Sequence, residues 1–295
     1  MNKSFLVLFF KKEHFFRFPT ATLAGCGAIA LWSTLGLLSR AAAAIPPLQL
    51  TAMAFAVSAM LGLGLLALRG ELGVLRQRPM VWLHGVFGLF GFHALYFAAL
   101  AWAPPAEANL INYLWPLLIV LFSAALPGLS LSRWHLAGVA SGAVGCAVLL
   151  GGGAALSAAA LPGYLAAFGS AVIWALYSVL ARQLSAVPPA AVAGFCAATA
   201  VLAAASHLAF EVTVVPDATV LFTALALGIG PVGAAFFLWD FGMKRGDPRL
   251  LGTLAYATPV VSTVLLWAGG FAQLTPAVVL AAALVALGGL LAARG

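Results

Sequence analysis

The sequence predicts an all-α integral membrane protein of ten transmembrane helices, arranged as two inverted five-helix repeats. Three observations predict it. Of 295 residues, 64% are hydrophobic and only 7% are charged, with a mean hydropathy of +1.11, whereas soluble domains carry about 25% charged residues. Ten apolar runs of spanning length can be placed, and the basic residues sort to one side of them. The two halves of the chain also match each other at a nearly constant offset.

The chain opens on Met1 to Pro19, where Phe5 to Phe10 precede Lys11 and Lys12. That apolar core is short for a signal peptide and lacks a convincing cleavage site. Residues 1–19 are therefore read as a cytoplasmic N-terminal segment, with aromatic and basic residues mixed as at a membrane interface. Spans follow at 20–39, 47–68, 80–102, 106–126, 134–152, 162–181, 188–210, 218–239, 249–269 and 275–293. Each is near the ~20 residues that a bilayer core requires. The breaks carry charge or turn signals at Arg40, Arg69 to Arg78, Pro104-Pro105, Pro127-Gly128, Gly151 to Gly153, Arg182, Glu211 with Asp217, Lys244 to Arg249, and Gly269-Gly270. Glycines thin the signal over 81–102, where a hairpin would be the competing reading.

Of the 14 basic residues, all but Arg40 fall on the side that holds both termini. That asymmetry places both termini in the cytoplasm. The +7 formal charge is thus a matter of orientation and gives no reason to expect nucleic acid. Cys26, Cys146 and Cys196 lie inside apolar runs with no metal-ligand spacing, and no cofactor motif is present.

At an offset of 142, Gly27 falls on Gly169, Trp32 on Trp174, Arg40 on Arg182 and Pro46-Pro47 on Pro188-Pro189. At 143, Gly85 meets Gly228, Pro105 meets Pro248, Tyr113 meets Tyr256, Pro116 meets Pro259 and Gly145 meets Gly288. The repeats span 20–152 and 162–293. Five is an odd number of crossings, so the second copy enters from the opposite side. Inverted repeats of this kind mark transporters, with the substrate site near the midplane between them.

Candidate site residues follow from depth and chemistry. Asn112-Tyr113-Leu114-Trp115-Pro116 sits in an uncharged run from Ala108 to Leu126. Polar groups at that depth belong against protein or a water-filled cavity. Pro116 and its counterpart Pro259 predict kinks and matched flexing points. Trp32 and Trp174 occupy equivalent central places, where an aromatic ligand could stack, or they are simply paired core residues. His93 is the mid-membrane histidine, able to donate to a carboxylate, carry a proton or bond a neighbouring helix. Tyr96, Tyr177, Tyr256 and Thr258 add hydroxyls near the same depth. Trp102 reads as an interfacial anchor, Glu107 as a first-turn acid, and Asp240 as the partner of Lys244 four residues on. Gly138, Gly142, Gly145 and Ser141 give small-residue spacing for close helix packing.

Trp32-Ser33-Thr34, Glu107 with Asn112 to Pro116, Ile173-Trp174 with Tyr177, and Tyr256-Ala257-Thr258-Pro259 together resemble the drug/metabolite transporter superfamily, EamA type, most of all its YddG-type aromatic amino acid exporters. The resemblance covers nearly everything after residue 20 and implies ten helices, a central cavity and export across the bacterial cytoplasmic (inner) membrane. The expected partners are a small aromatic amino acid and membrane lipid, and the protein is expected to be a monomer, not an enzyme, and without cofactor. Many superfamily members carry a glutamate before the last helix of each repeat. Here those places read Gly128-Leu129-Ser130-Leu131 and Ala272-Gln273-Leu274-Thr275. An exporter of other metabolites or hydrophobic drugs is the nearer alternative, although cationic-drug exchange needs a buried carboxylate that no span centre offers. An intramembrane hydrolase is the remote one, with Ser130 and His135 as its best pair.

Overall fold

The computed structural model describes residues 19–42, 44–150, 157–270 and 275–295. Nearly all of the expected N-terminal segment 1–19, the Gly151 to Gly153 break and Ala272-Gln273-Leu274 lie outside the described residues. Regular structure among the described residues is entirely helical, with no strand. In chain order the helices are α1 (Thr20–Ser33), α2 (Leu35–Ala41), α3 (Pro47–Leu68), α4 (Pro79–Trp102), α5 (Pro105–Asn112), α6 (Trp115–Ser123), α7 (Arg133–Leu150), α8 (Ala158–Leu184), α9 (Pro189–Phe210), α10 (Ala218–Arg245), α11 (Pro248–Leu254), α12 (Ala257–Ala268) and α13 (Pro276–Ala292). Among the described residues, six stretches are long and apolar enough to cross a membrane: α3, α4, α8, α9, α10 and the continuous run Pro248–Ala268. Helices α1 and α13 are apolar but shorter, at 14 and 17 residues.

Proline sets many of the starts. Pro47, Pro79, Pro105, Pro189, Pro248 and Pro276 are each the first residue of a helix. The missing N–H costs nothing there, because first-turn donors have no intrahelical acceptor, and the fixed φ suits the helix. Gly70, Gly128 and Gly270 close turns with φ of 69°, 75° and 77°, a left-handed conformation that a Cβ disfavours.

Two expectations about the spans need correction. The first span divides at Thr34, whose hydroxyl and backbone N–H both donate to the Leu31 carbonyl, at 2.7 and 3.0 Å. The fourth and ninth spans are interrupted by a tightened turn just ahead of Pro116 and Pro259, where kinks at the prolines themselves were expected. The chain leaves helix at Tyr113–Leu114 and at Ala255–Tyr256, ahead of each proline. Pro116 is then the second residue of α6 and Pro259 the third of α12, where the ring has no preceding turn to clash with. The third span is the single helix expected over 80–102, widened by a π turn at Phe87–Gly91, and α10 carries a second π turn at Gly230–Ala234.

The helices pack as α7 with α13, α3 with α9, α1 with α10 and α4 with α8. Small residues let the first of these pairs touch backbone to backbone. A Cβ on Gly138 would lie 2.6 Å from the Gly288 carbonyl oxygen, and Ser141 Oγ donates to Leu284 O at 2.7 Å. Helix-to-helix contact of this kind needs small side chains because lipid offers no hydrophobic drive between apolar helices. Trp102 is 58% exposed at the end of α4, as an interfacial anchor would be.

Candidate functional site

The core of the molecule is an aromatic cluster at the crossing of α1, α6, α8 and α10. Trp32 on α1 meets Trp174 on α8 edge to face, with ring centroids 5.5 Å apart. Trp239 on α10 lies 5.0 Å from Trp32, and Trp115 at the start of α6 stands nearly perpendicular to all three indoles at 6.0 to 6.4 Å. Edge-to-face and tilted arrangements of this kind suit the ring quadrupoles, at about 0.5–1.5 kcal/mol per pair beyond burial.

Hydrogen bonds fix two of the indoles. Trp239 Nε1 donates to Ser178 Oγ at 2.9 Å. Trp32 Nε1 donates to the Pro231 carbonyl at 3.0 Å, inside the second π turn. That acceptor is open because Ala235 N–H, its helical partner, donates to Gly230 O instead.

Against this cluster lies a cavity of about 390 Å³, within the range of small-molecule sites. Trp32, His93, Tyr96, Asn112, Tyr113, Trp115, Trp174 and Thr258 line it, joined by Phe92, Phe97, Phe236, Leu35, Pro231, Val232 and Ser262. No Asp, Glu, Lys or Arg is among the lining residues. Along α10 the lining residues precede Trp239 and the basic end Lys244-Arg245, so the cluster separates the cavity from that end of the helix.

Four polar groups in the wall have defined surroundings. His93 Nδ1 lies 2.7 Å from the carbonyl of Leu89, one turn back on its own helix rather than on a neighbouring one. Its ring sits among Phe55, Phe92, Phe97 and Phe236. Tyr96 donates its hydroxyl to Asn109 Oδ1. Asn112 Oδ1 accepts from Ser170 Oγ at 2.8 Å. Thr258 Oγ1 is buried and has no hydrogen-bond partner among the described residues.

Two of the expected tyrosines stand outside the cavity. Tyr177 stacks on His84, ring centroids 4.8 Å apart, in a space left by Gly88. Tyr256 is buried against Gly142 of α7, where a Cβ would lie 2.6 Å from its ring. Pro116 and Pro259 are buried behind the wall. Phe236 and Trp239 were not singled out for the site from sequence, yet the 143-residue offset pairs them with His93 and Tyr96.

Asp240 and Lys244 pair at 2.7 Å, as their spacing predicts, but both are buried, and Lys244 Nζ also donates to Val187 O at 2.9 Å. The hydrolase alternative fails on geometry. His135 Nδ1 engages Ser132, at 3.0 Å from Oγ, while Ser132 Oγ caps the start of α7 by accepting from Trp134 and His135 N–H. Ser130 contributes its carbonyl to Arg249.

Comparison with known proteins gives one consistent result. A model of the EamA-like transporter family matches residues 19–151 and 161–294. The chain is 53% identical over 270 residues to the aromatic amino acid exporter YddG of Ancylobacter novellus, covering 90% of this chain and 94% of that one. It is 28% identical to the aromatic amino acid exporter YddG of Salmonella typhimurium, covering 83% of this chain and 87% of that protein. A solved crystal structure at 52% identity superposes with a TM-score of 0.90, covering 92% of this chain and 96% of its own.

Proposed function

Because the chain belongs to the EamA-like transporter family, we propose that it is a secondary transporter exporting aromatic and related hydrophobic amino acids by alternating access through the central cavity. The observation that carries this reading is the wall of that cavity. Trp32, His93, Asn112 and Trp115 come from the first half of the chain, and Trp174, Phe236 and Thr258 from the second. The names of the two relatives, both aromatic amino acid exporters, support the substrate class.

The reading includes ten spans in two inverted five-helix repeats, 20–152 and 162–293, in a bacterial inner membrane with both termini cytoplasmic. Several features support the duplication. The two π turns, Phe87–Gly91 and Gly230–Ala234, are 143 residues apart. The α1–α10 and α8–α4 contacts exchange when the halves are exchanged, and α7–α13 and α3–α9 map onto themselves. The family model also matches the chain twice. The sorting of basic residues supports the orientation. The breaks ahead of Pro116 and Pro259 are matched places where two rigid units can rotate as the cavity opens to either side in turn. The protein acts as a monomer.

Energetics suit release as well as capture. Burying a phenylalanine-sized ring contributes about 1.5–3 kcal/mol, and stacking on the indoles adds about 0.5–1.5 kcal/mol per pair. A total of a few kcal/mol, before the costs of association, gives a weak site that can empty. A cavity without an acidic side chain favours this substrate class over cationic drugs, which need a buried carboxylate. Counterflow of labelled phenylalanine into proteoliposomes preloaded with unlabelled phenylalanine tests the proposal. Saturable accumulation is expected, and no saturable uptake of any aromatic amino acid would sink it.

A further inference from the structure

We propose that the cavity takes its ligand as an oriented zwitterion, with the α-ammonium on Nε2 of His93 and the α-carboxylate on the Asn112 amide and the Thr258 hydroxyl. The inference rests on the export reading and assigns polarity within the same site.

The orientation of His93 follows from its hydrogen bond. Its Nδ1 lies 2.7 Å from the Leu89 carbonyl oxygen, and a carbonyl oxygen only accepts. Nδ1 therefore carries the proton. In the neutral ring the lone pair is on Nε2, the nitrogen left to the cavity that His93 lines. A lone pair accepts from an ammonium and repels a carboxylate. This reverses the role that sequence reasoning allowed His93, a donor to the carboxylate. The rings of Phe55, Phe92, Phe97 and Phe236 around the imidazole lie 5.1 to 6.3 Å away, and aromatic faces favour a nearby cation.

The donors stand on other helices. Asn112 has its amide oxygen 2.8 Å from Ser170 Oγ, whose single proton also reaches Ala167 O at 2.7 Å, and its NH₂ is the donor it offers a ligand. Thr258 Oγ1 is buried in the wall with no hydrogen-bond partner among the described residues, and a buried hydroxyl left unpaired is costly unless something comes to satisfy it. Tyr96 does not compete as a donor, since its hydroxyl proton goes to Asn109.

The cavity as a whole agrees. Its described lining residues include no side chain of fixed charge, so a ligand carrying a net charge would be stranded in apolar surroundings. A zwitterion is neutral overall and needs only dipoles at its two poles. An aromatic keto acid or amine of the same shape offers one pole and leaves the other wall group unsatisfied, the situation in which a polar site rejects an analogue most strongly.

Competition against labelled phenylalanine on purified protein separates the cases. The probes are phenylalanine, 3-phenylpropionate, which lacks the ammonium, and phenethylamine, which lacks the carboxylate. In the wild type, phenylalanine is expected to compete at least about tenfold better than either analogue. His93→Phe is expected to weaken phenylalanine by about tenfold and leave 3-phenylpropionate unchanged. Thr258→Val is expected to weaken phenylalanine and 3-phenylpropionate while sparing phenethylamine. If 3-phenylpropionate matches phenylalanine in the wild type, or if His93→Phe weakens both alike, the assignment is wrong and the export reading stands. If phenylalanine itself does not compete, the export reading falls with it. The wild-type series needs no variant, so a misfolded mutant does not remove the test.

Discussion

Trp32, at the end of α1, donates its indole N–H to the carbonyl of Pro231, 199 residues away in the π turn of α10, at 3.0 Å. One hydrogen bond thus joins α1 to the irregular turn in the middle of α10, beside the cavity that both residues line. Trp32→Phe keeps an aromatic ring in the cluster but leaves that carbonyl unsatisfied. It is expected to cost about 1–3 kcal/mol, read as a lower melting temperature of the solubilised protein. Trp32→Ala also empties the cluster and is expected to cost about 3–5 kcal/mol.

The Asp240–Lys244 pair lies beyond the tryptophan cluster, with both side chains buried and 2.7 Å apart. Removing one partner strands the other charge. Asp240→Asn is expected to destabilise by about 3–5 kcal/mol. The double variant Asp240→Asn, Lys244→Met is expected to recover most of that loss. Melting curves of the wild type, two single variants and the double variant form the cycle that checks it, and additive losses would contradict a coupled pair.

Two glycines predict opposite outcomes for one substitution. A Cβ on Gly138 would meet backbone 2.6 Å away on α13, whereas a Cβ on Gly64 meets nothing within 4 Å. Gly138→Ala is expected to force α7 and α13 apart and lower stability. Gly64→Ala, inside α3, is expected to be neutral or to gain up to about 1 kcal/mol in helix propensity. The same thermal assay compares them.

Asp247 ties α11 to its surroundings. Its carboxylate accepts from the N–H groups of Arg249 and Leu250 at 2.9 and 3.4 Å, and from the Arg249 side chain at 2.8 and 3.1 Å. Burial raises this carboxyl, but the hydrogen bonds and charge of Arg249, with the backbone N–H of Arg249 and Leu250, outweigh it and hold it below its ordinary value. A lowered folded value means that the contribution is complete above the unfolded value and is lost as pH falls through the folded one. Asp247→Ala is expected to cost about 0.5–2 kcal/mol at neutral pH. Its melting temperature should converge on that of the wild type in acid.

Much of this architecture is legible in sequence because its signals are local or periodic. Proline marks helix starts wherever the first turn has N–H groups to spare, and Trp32 and Trp174 could be paired from the 142-residue offset before any coordinates. The breaks ahead of Pro116 and Pro259 were harder to read, since a proline signals disruption without saying on which side the chain gives way. The π turns were hidden for another reason. Gly85 and Gly88 look like a weak helix, but they admit the rings of Phe195 and Tyr177, a contact fixed by distant residues. Tyr177 and Tyr256 have the right depth and the wrong face, and depth is all that an apolar run reports. Which nitrogen of His93 holds the proton depends on a carbonyl one turn away, and only three-dimensional geometry supplies that.

The most direct test is a structure of the protein determined with phenylalanine bound. The account predicts density for the ring in the 390 Å³ cavity beside Trp32, Trp174 and Phe236, with the amino acid group between His93 and Thr258. Density confined to the groove between α3 and α10, lined by Leu61, Leu65 and Phe237, with the central cavity empty at saturating ligand, would contradict it.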